Sequence, residues 1–332
     1  MWLKQIQEVS IAAFTLLELP RVETQRERLL ESSGGIMTDD TLFADALLAS
    51  YRRALESVAA VSGDIRAAAL RLAAIWRAGG RLVYAGAGSS GLAAAEDAAE
   101  LPGTFGFEES RIAIVLAGGT PDPFHIDAAA EDDAAAGGQA IAAFGDLSGD
   151  ALIAISASGA TPFTVAAAAE ARRRGAFVIA IAHRPGSALL SGADAPILLE
   201  SGEEALRGST RLAAGAAQKV ALGMLSSLMG LELGHVYQSL MVNLKADNAK
   251  LRDRARGIVA MVAGVSEAMA EAALREAGGE VKPAILIACG VVSMSEAVRW
   301  LAAGEGRIDD ALRLAAIERT NQGRGPEQGS KA

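Results

Sequence analysis

The sequence predicts an α/β protein: a doubly wound, five-stranded parallel sheet, with N-terminal helices before it and a small C-terminal helical domain after it. Three observations predict this. Five short apolar runs (82–85, 111–116, 151–156, 177–183 and 195–200) have the length and flanks of strands buried on both faces. Helical patterns separate them, giving the strand–helix–strand alternation of a parallel sheet. Beyond Ser209 the strand-like runs stop and long helical stretches take over.

Taken in order, residues 1–20 (MWLKQIQEVSIAAFTLLELP) hold one early lysine and a short apolar run. No Ala-x-Ala site follows, so they read as an extra helix or a misplaced start and not as an export signal. Residues 21–40 are charged and broken by Ser32-Ser33-Gly34-Gly35, the composition of a flexible arm. Apolar residues then recur at helical spacing from 41 to 61. Ser62-Gly63-Asp64 caps a second helix to about 78, and Gly79-Gly80 closes it. Between the later strands lie helical patterns at 131–143, 161–174 and, shorter, 186–190. The longest pattern spans 212–233, and another, polar along one side, spans 236–269. Three short patterns fill 271–314, and residues 321–332 are polar and Gly-rich, as disordered tails are. The expected division is an N-terminal helix and arm (1–40), a sheet domain with its long helices (41–258), a small helical domain (259–318) and a disordered tail (319–332).

Composition narrows the function classes. The 332-residue chain is rich in Ala and Gly and carries a net charge of -9, without the basic stripe of a general nucleic-acid binder. A single cysteine, Cys289, excludes an internal disulfide and a thiolate metal site. His125, His183 and His235 lack ligand spacing, which leaves carboxylates as ligands for at most a weakly held Mg²⁺. No run approaches the roughly 18 apolar residues of a membrane span, so a cytoplasmic protein with no membrane or nucleic-acid partner is expected.

The first strand stops at Gly86-Ala87-Gly88-Ser89-Ser90-Gly91, and a helical pattern follows. A glycine turn with two hydroxyls at a helix N-terminus is a receptor for a phosphate group. The spacing also fits a dinucleotide loop, which wants an acidic residue at the end of the second strand. That strand ends Val115-Leu116-Ala117-Gly118-Gly119 and has none. The third strand ends in a second hydroxyl-rich turn, Ser156-Ala157-Ser158-Gly159-Ala160-Thr161, with Pro162 placed to open a helix. Two such turns at the crevice of one sheet favour a phosphorylated sugar, and no cofactor is called for.

Carboxylates stand close by. Glu96, Asp97 and Glu100 follow the first loop, with Glu96 and Glu100 on one helix face, before Pro102-Gly103 ends the helix. Glu131-Asp132-Asp133 forms a second cluster. Paired carboxylates beside a phosphosugar serve as general acid and base when their surroundings separate their pKa values. Gly208-Ser209-Thr210-Arg211 opens the longest helix. Ser209 or Thr210 suits an N-cap, while Arg211 opposes the helix dipole and so calls for a ligand anion or a carboxylate.

The ordered runs GAGSSG…DAAELPGTFG, AAAEDDAAAGG, SASGATPF, GSTRLAAGAAQK and LMVNLKADNAKLRDRA resemble the N-acetylmuramic acid 6-phosphate etherases, phosphosugar-binding proteins of the SIS type. The resemblance covers roughly residues 21–315. It implies cleavage of the lactyl ether to N-acetylglucosamine 6-phosphate and D-lactate in a homodimer, without metal or nucleotide. It implies Glu100 as the acid that helps lactate leave and Glu131 as the base. The phosphorylated amino sugar would lie on Gly88, Ser89, Ser90, Ser156, Ser158, Gly159, Thr161, Ser209, Thr210 and Arg211. Relatives of this type also include a non-catalytic regulator and phosphosugar isomerases, which are the alternative readings. The chain departs from the family in having Leu92 and Ala160 where arginines are usual, Ala213 for a lysine, and Gln238-Ser239 for Gly-Asn. Each lost cation implies a weaker hold on an anion, by about 1.5–3 kcal/mol.

Overall fold

The structure is a computed structural model that describes residues 40–119, 127–291 and 293–323. The expected N-terminal helix and arm, His125 and the last nine residues lie outside the described residues. The whole sheet lies within residues 46–332.

Two helices, α1 (Asp40–Ala60) and α2 (Ser62–Arg77), lead into the sheet. Along α2 the buried Ile65, Ala68, Ala69, Leu72, Ala73 and Trp76 form one apolar stripe at helical spacing. The sheet comprises β1 (Leu82–Gly86), β2 (Ile112–Leu116), β3 (Ala151–Ile155), β4 (Phe177–Ala182) and β5 (Ala195–Leu198). All pairings are parallel, in the order β2-β1-β3-β4-β5. Side chains alternate between the two faces, so Leu82 and Tyr84 enter one core while Val83 and Ala85 enter the other. The first core is shared with α2, α3 (Gly88–Phe105) and α7 (Ala213–Glu232). The second is shared with α4 (Ala134–Ala142), α5 (Pro162–Arg173) and α6 (Ala188–Ser191).

Register matters for function. Gly86 pairs with Leu116 on one side and with Ile155 on the other, so three strands end level. The chain leaves β1 towards β2 but places β3 on the opposite flank. That reversal opens a crevice at the carboxyl ends of β1 and β3, where open α/β sheets bind ligands.

The C-terminal part departs from the sequence expectation. Residues 236–248 are not helical: β6 (Val236–Tyr237) and β7 (Leu240–Met241) form an antiparallel hairpin. Its two turn residues, Gln238 and Ser239, have φ of 47° and 63°, a pair of left-handed conformations that Asn and Gly adopt most cheaply. The remainder is α8 (Ala249–Ala263), α9 (Glu267–Glu276), α10 (Val281–Ala288), α11 (Met294–Ala303) and α12 (Ile308–Gly323). These helices surround a third core that includes Val259, Ala270, Ile285 and Ala311. The expected boundary at 258/259 therefore cuts α8, whose Ala255, Ile258 and Val259 all belong to this core. Likewise α12 runs to Gly323, into the stretch expected to be a disordered tail. Pro102 does not end α3, which continues one turn to Phe105 before Gly106 caps it with φ of 66°. Pro102 has no N–H to donate to the carbonyl four residues back, so α3 loses one backbone hydrogen bond there and still completes its last turn.

The hairpin gives a first prediction. Replacing Gln238 by Asn and Ser239 by Gly together removes the left-handed strain and stabilises the protein by about 1 kcal/mol or more. Denaturant midpoints of the two proteins measure it, and an unchanged or lower midpoint refutes it.

Candidate functional site

The crevice is built by three turns. At the end of β1, the Gly91 N–H bonds the Ala87 carbonyl at 2.9 Å and opens α3. The N–H groups of Gly88, Ser89 and Ser90 precede that bond and have no intrahelical acceptor, so the positive end of α3 faces the crevice. Ser90 is buried and Ser89 half-buried. Gly88 has φ of +53°, and a Cβ added there would strike Glu131 Oε1. A side chain at Gly88 is disfavoured by the backbone conformation, and it would push the Glu131 carboxylate from the place where it rests.

Glu131 is held there by its own local structure. It lies in a short 3₁₀ turn (Ala128–Asp132), whose N-cap Asp127 accepts the Ala129 N–H at 3.0 Å. Asp133 then caps α4 by accepting the Ala136 N–H at 2.8 Å. Gly137 lets α4 press against the backbone of Phe163 in α5, which fixes the turn from behind. Within the acidic cluster the roles divide: Asp133 is a helix cap, and Glu131 reaches the crevice. Partial burial, with the neighbouring Asp132 charge adding to it, raises the Glu131 pKa above 4.5.

At the end of β3, Ser156 Oγ lies 2.8 Å from Thr161 Oγ1 and 3.3 Å from Ser158 Oγ. The Gly159 and Ala160 N–H groups donate to Ser156 Oγ and Ser158 Oγ, at 3.1 and 3.2 Å. Pro162 opens α5, whose N-terminus adds a second positive dipole end. Because Gly86 and Ile155 are in register, this cluster adjoins the β1 loop. The arrangement suits a tetrahedral oxyanion with a carboxylate of raised pKa at its side.

The third expected group is placed differently. Ser209, Thr210 and Arg211 lie in the turn before α7, beyond β5, and Thr210 and Arg211 are exposed. Neither hydroxyl caps α7. The N-cap is Leu212, and the Glu204 carboxylate accepts the Ala213 and Ala214 N–H groups, both at 2.9 Å. Glu204 meets the positive end of the helix dipole, so this helix end is already occupied by a carboxylate.

Glu100 is not brought to Glu131 within the chain. The exposed stripe of α3 is Leu92, Glu96, Ala99, Glu100 and Gly103, and the Lys219 Nζ bridges Glu96 at 3.1 Å and Glu100 at 3.5 Å. Asp97, which the sequence does not separate from its neighbours, is buried instead. It accepts hydrogen bonds from Tyr84 Oη at 2.9 Å and from Ser226 Oγ at 3.1 Å. Burial raises its pKa to about 6, against the opposing pull of those two bonds and of Lys219. Lys219 is the residue that sequence reasoning missed, and Asp97 was named but not told apart from Glu96 and Glu100. For Asp97 the signal was its place among the buried positions Ala94, Ala98 and Leu101.

Two histidines support the scaffold. His183 Nδ1 lies 2.9 Å from Ser201 Oγ at the end of β4. His235 packs on Phe107, and burial, reinforced by the Lys282 charge, lowers its pKa to about 3. Among the described residues no three His, Cys, Asp or Glu side chains converge to hold a metal ion. No single described helix is long and apolar enough to cross a membrane.

Comparison with known proteins agrees with this architecture. Residues 46–183 and residues 147–228 each match a model of the SIS domain. An N-acetylmuramic acid 6-phosphate etherase of Deinococcus radiodurans is 43% identical over 277 residues, covering 82% of this chain and 91% of that one. Similar proteins of the same description come from Rubrobacter xylanophilus and Streptomyces avermitilis. The first is 45% identical over 70% of this chain and 77% of its own. The second is 40% identical over 78% of this chain and 83% of its own.

Proposed function

Because the chain belongs to the N-acetylmuramic acid 6-phosphate etherase family, we propose that it cleaves the D-lactyl ether of N-acetylmuramic acid 6-phosphate, acting as a carbon–oxygen lyase. The products are N-acetylglucosamine 6-phosphate and D-lactate. One observation carries the reading: the Glu131 carboxylate, with its raised pKa, rests on Gly88 beside two hydroxyl-bearing turns.

The phosphate is held by Ser89, Ser90, Ser156, Ser158 and Thr161 together with the N-termini of α3 and α5. In the open-chain sugar the C1 aldehyde acidifies the proton on C2. Glu131 removes that proton, the C2–H electron pair becomes the C2=C3 bond, and the C3–O bond breaks. Glu100 protonates the departing lactate oxygen. Water then adds across C2=C3, its oxygen to C3 and a proton to C2, and the carboxyl groups regain their starting states. The enzyme acts in the cytoplasm as a homodimer.

The test is incubation with N-acetylmuramic acid 6-phosphate in heavy-oxygen water. D-Lactate release with label at C3 of the amino sugar is the expected result. Tight binding without lactate would replace the reading with a non-catalytic regulator, and ketose formation with an isomerase.

A further inference from the structure

The turns that form the phosphate site carry no cation. At pH 7 a phosphate ester holds about −1.5 to −2 charge. The turns that receive it, 86–91 and 156–162, contain no lysine or arginine, and the adjoining segment adds Asp127, Glu131, Asp132 and Asp133. Helix N-termini offset only about half an elementary charge each. Arg211, the cation expected from the sequence, stands beyond β5, two strands from β3. A closer arginine exists. β4 pairs with β3, with Ile181 opposite Ile155, and strands so paired lie about 4.8 Å apart. The turn that leaves β4, residues 183–187, therefore runs alongside the hydroxyl turn and is tied to it. The His183 N–H donates to the Ala157 carbonyl and the Leu189 N–H to the Gly159 carbonyl, both at 3.0 Å. Ser187 presses on Gly159, where an added Cβ would strike the Ser187 Oγ. Arg184 lies between these ties. Its carbonyl accepts the Ser187 N–H at 3.3 Å, which tightens the turn, while its side chain is exposed. Among the described residues no carboxylate pairs with it.

Resting on the phosphosugar binding of the etherase reading, we infer that Arg184 is the cation of the phosphate site: its guanidinium reaches from the β4 turn across to the 156–161 turn and pairs with the 6-phosphate. An arginine suits this task because its planar fork gives two N–H bonds to one phosphate and keeps its charge at any working pH. Its freedom from a carboxylate partner matters equally, since an arginine held in an ion pair must break it to bind a ligand. Arg172, Arg173 and Arg174 show the contrast, because each is already engaged by Asp194 or Glu170. The role is one of specificity. A sugar with a free 6-hydroxyl meets the same hydroxyl turns, but only a phosphate engages the guanidinium. The alanine at position 160 fits this arrangement. A cation on the β3 turn itself is unnecessary when the adjoining β4 turn supplies one.

The experiment measures binding to the full chain by calorimetry, with two probes. One is N-acetylglucosamine 6-phosphate. The other is N-acetylmuramic acid 6-phosphate, used on chains that also carry Glu131→Gln so that nothing is turned over. Arg184→Gln weakens both by about tenfold to a hundredfold, the loss of one charge-assisted pair. Arg184→Lys recovers part of the affinity, as a point charge without the fork does. Arg275→Gln, which removes an exposed arginine of α9, binds both probes as its parent does. Unchanged affinity in Arg184→Gln, or an equal loss in Arg275→Gln, overturns the assignment. A loss confined to the probe with the lactyl group overturns it too, because the guanidinium then holds the lactyl carboxylate. A second measurement needs no variant. Phenylglyoxal modifies exposed arginines of the wild-type chain, and peptide mass spectrometry follows Arg184. Protection by N-acetylglucosamine 6-phosphate but not by N-acetylglucosamine upholds the assignment. Modification at one rate with and without the sugar phosphate refutes it. Lactate release is read separately. A chain that binds through Arg184 but releases no lactate overturns the etherase reading and leaves Arg184 in the phosphate site. Lactate release with an indifferent Arg184 does the reverse.

Discussion

Glu131→Gln lowers kcat/KM for lactate release by about two to four orders of magnitude, the usual contribution of a positioned general base. It also abolishes exchange of the C2 proton with solvent, because proton removal is the step the carboxylate performs. Phosphosugar binding changes little, since the hydroxyl turns and helix N-termini that hold the phosphate are untouched. The pH profile carries an independent signature. Glu131 works as a base only when ionised, and partial burial with Asp132 beside it raises its pKa above 4.5. Activity therefore falls as pH drops through that raised pKa. Asp132→Asn removes one of the two causes and shifts the acid limb downward. Deuterium incorporation at C2 followed by NMR, and kcat/KM against pH, check both statements. Retention of C2 exchange in Glu131→Gln would remove this residue from the mechanism.

The strands and the two crevice turns were legible because both are written locally. A run such as LVYAG, closed by glycines, has no other good use, and serines at strand ends declare themselves. Glu131 was legible as part of a cluster, but its separation from Asp133 was not, since that depends on which carboxylate caps α4. Interactions remote in sequence stayed hidden. Glu204 caps α7 from nine residues upstream, outside the spacing of any capping box. Tyr84 and Ser226 reach Asp97 across 13 and 129 residues. The 236–248 segment was misread for a different reason. Its apolar residues happen to fit a helical period, and its turn uses Gln and Ser where Asn and Gly would have signalled a hairpin. The distance between Glu100 and Glu131 becomes plain once α3 is known to run unbroken from Gly88, which Pro102 obscured only beyond Glu100.

The buried Asp97 makes stability depend on pH in a direction opposite to most carboxylates. Its pKa in the folded protein is about 6, raised from 3.8 first of all by burial. The folded state therefore holds this proton more tightly than the unfolded chain does. Between about pH 4 and pH 6 the folded state binds more protons, and stability falls as pH rises through that window. The full penalty, once the carboxylate is ionised, is about 3 kcal/mol. Asp97→Asn removes the titration but must turn one amide hydrogen towards Tyr84 or Ser226, which now both donate. That mismatch costs about 1–2 kcal/mol at all pH values. The variant is thus less stable than wild type at pH 4. The deficit closes as pH rises and reverses by pH 7, where the ionisation penalty of wild type exceeds the mismatch by about 1–2 kcal/mol. Denaturant unfolding of both proteins at intervals from pH 4 to pH 8 measures the difference. Other carboxylates titrate alike in the two proteins and cancel. Parallel stability curves would show that Asp97 keeps the same proton affinity folded and unfolded, and that the Tyr84–Asp97–Ser226 network is solvated. A converging pair would establish that α3, the helix bearing Glu100, is anchored to β1 and α7 by a carboxyl group that prefers to stay protonated.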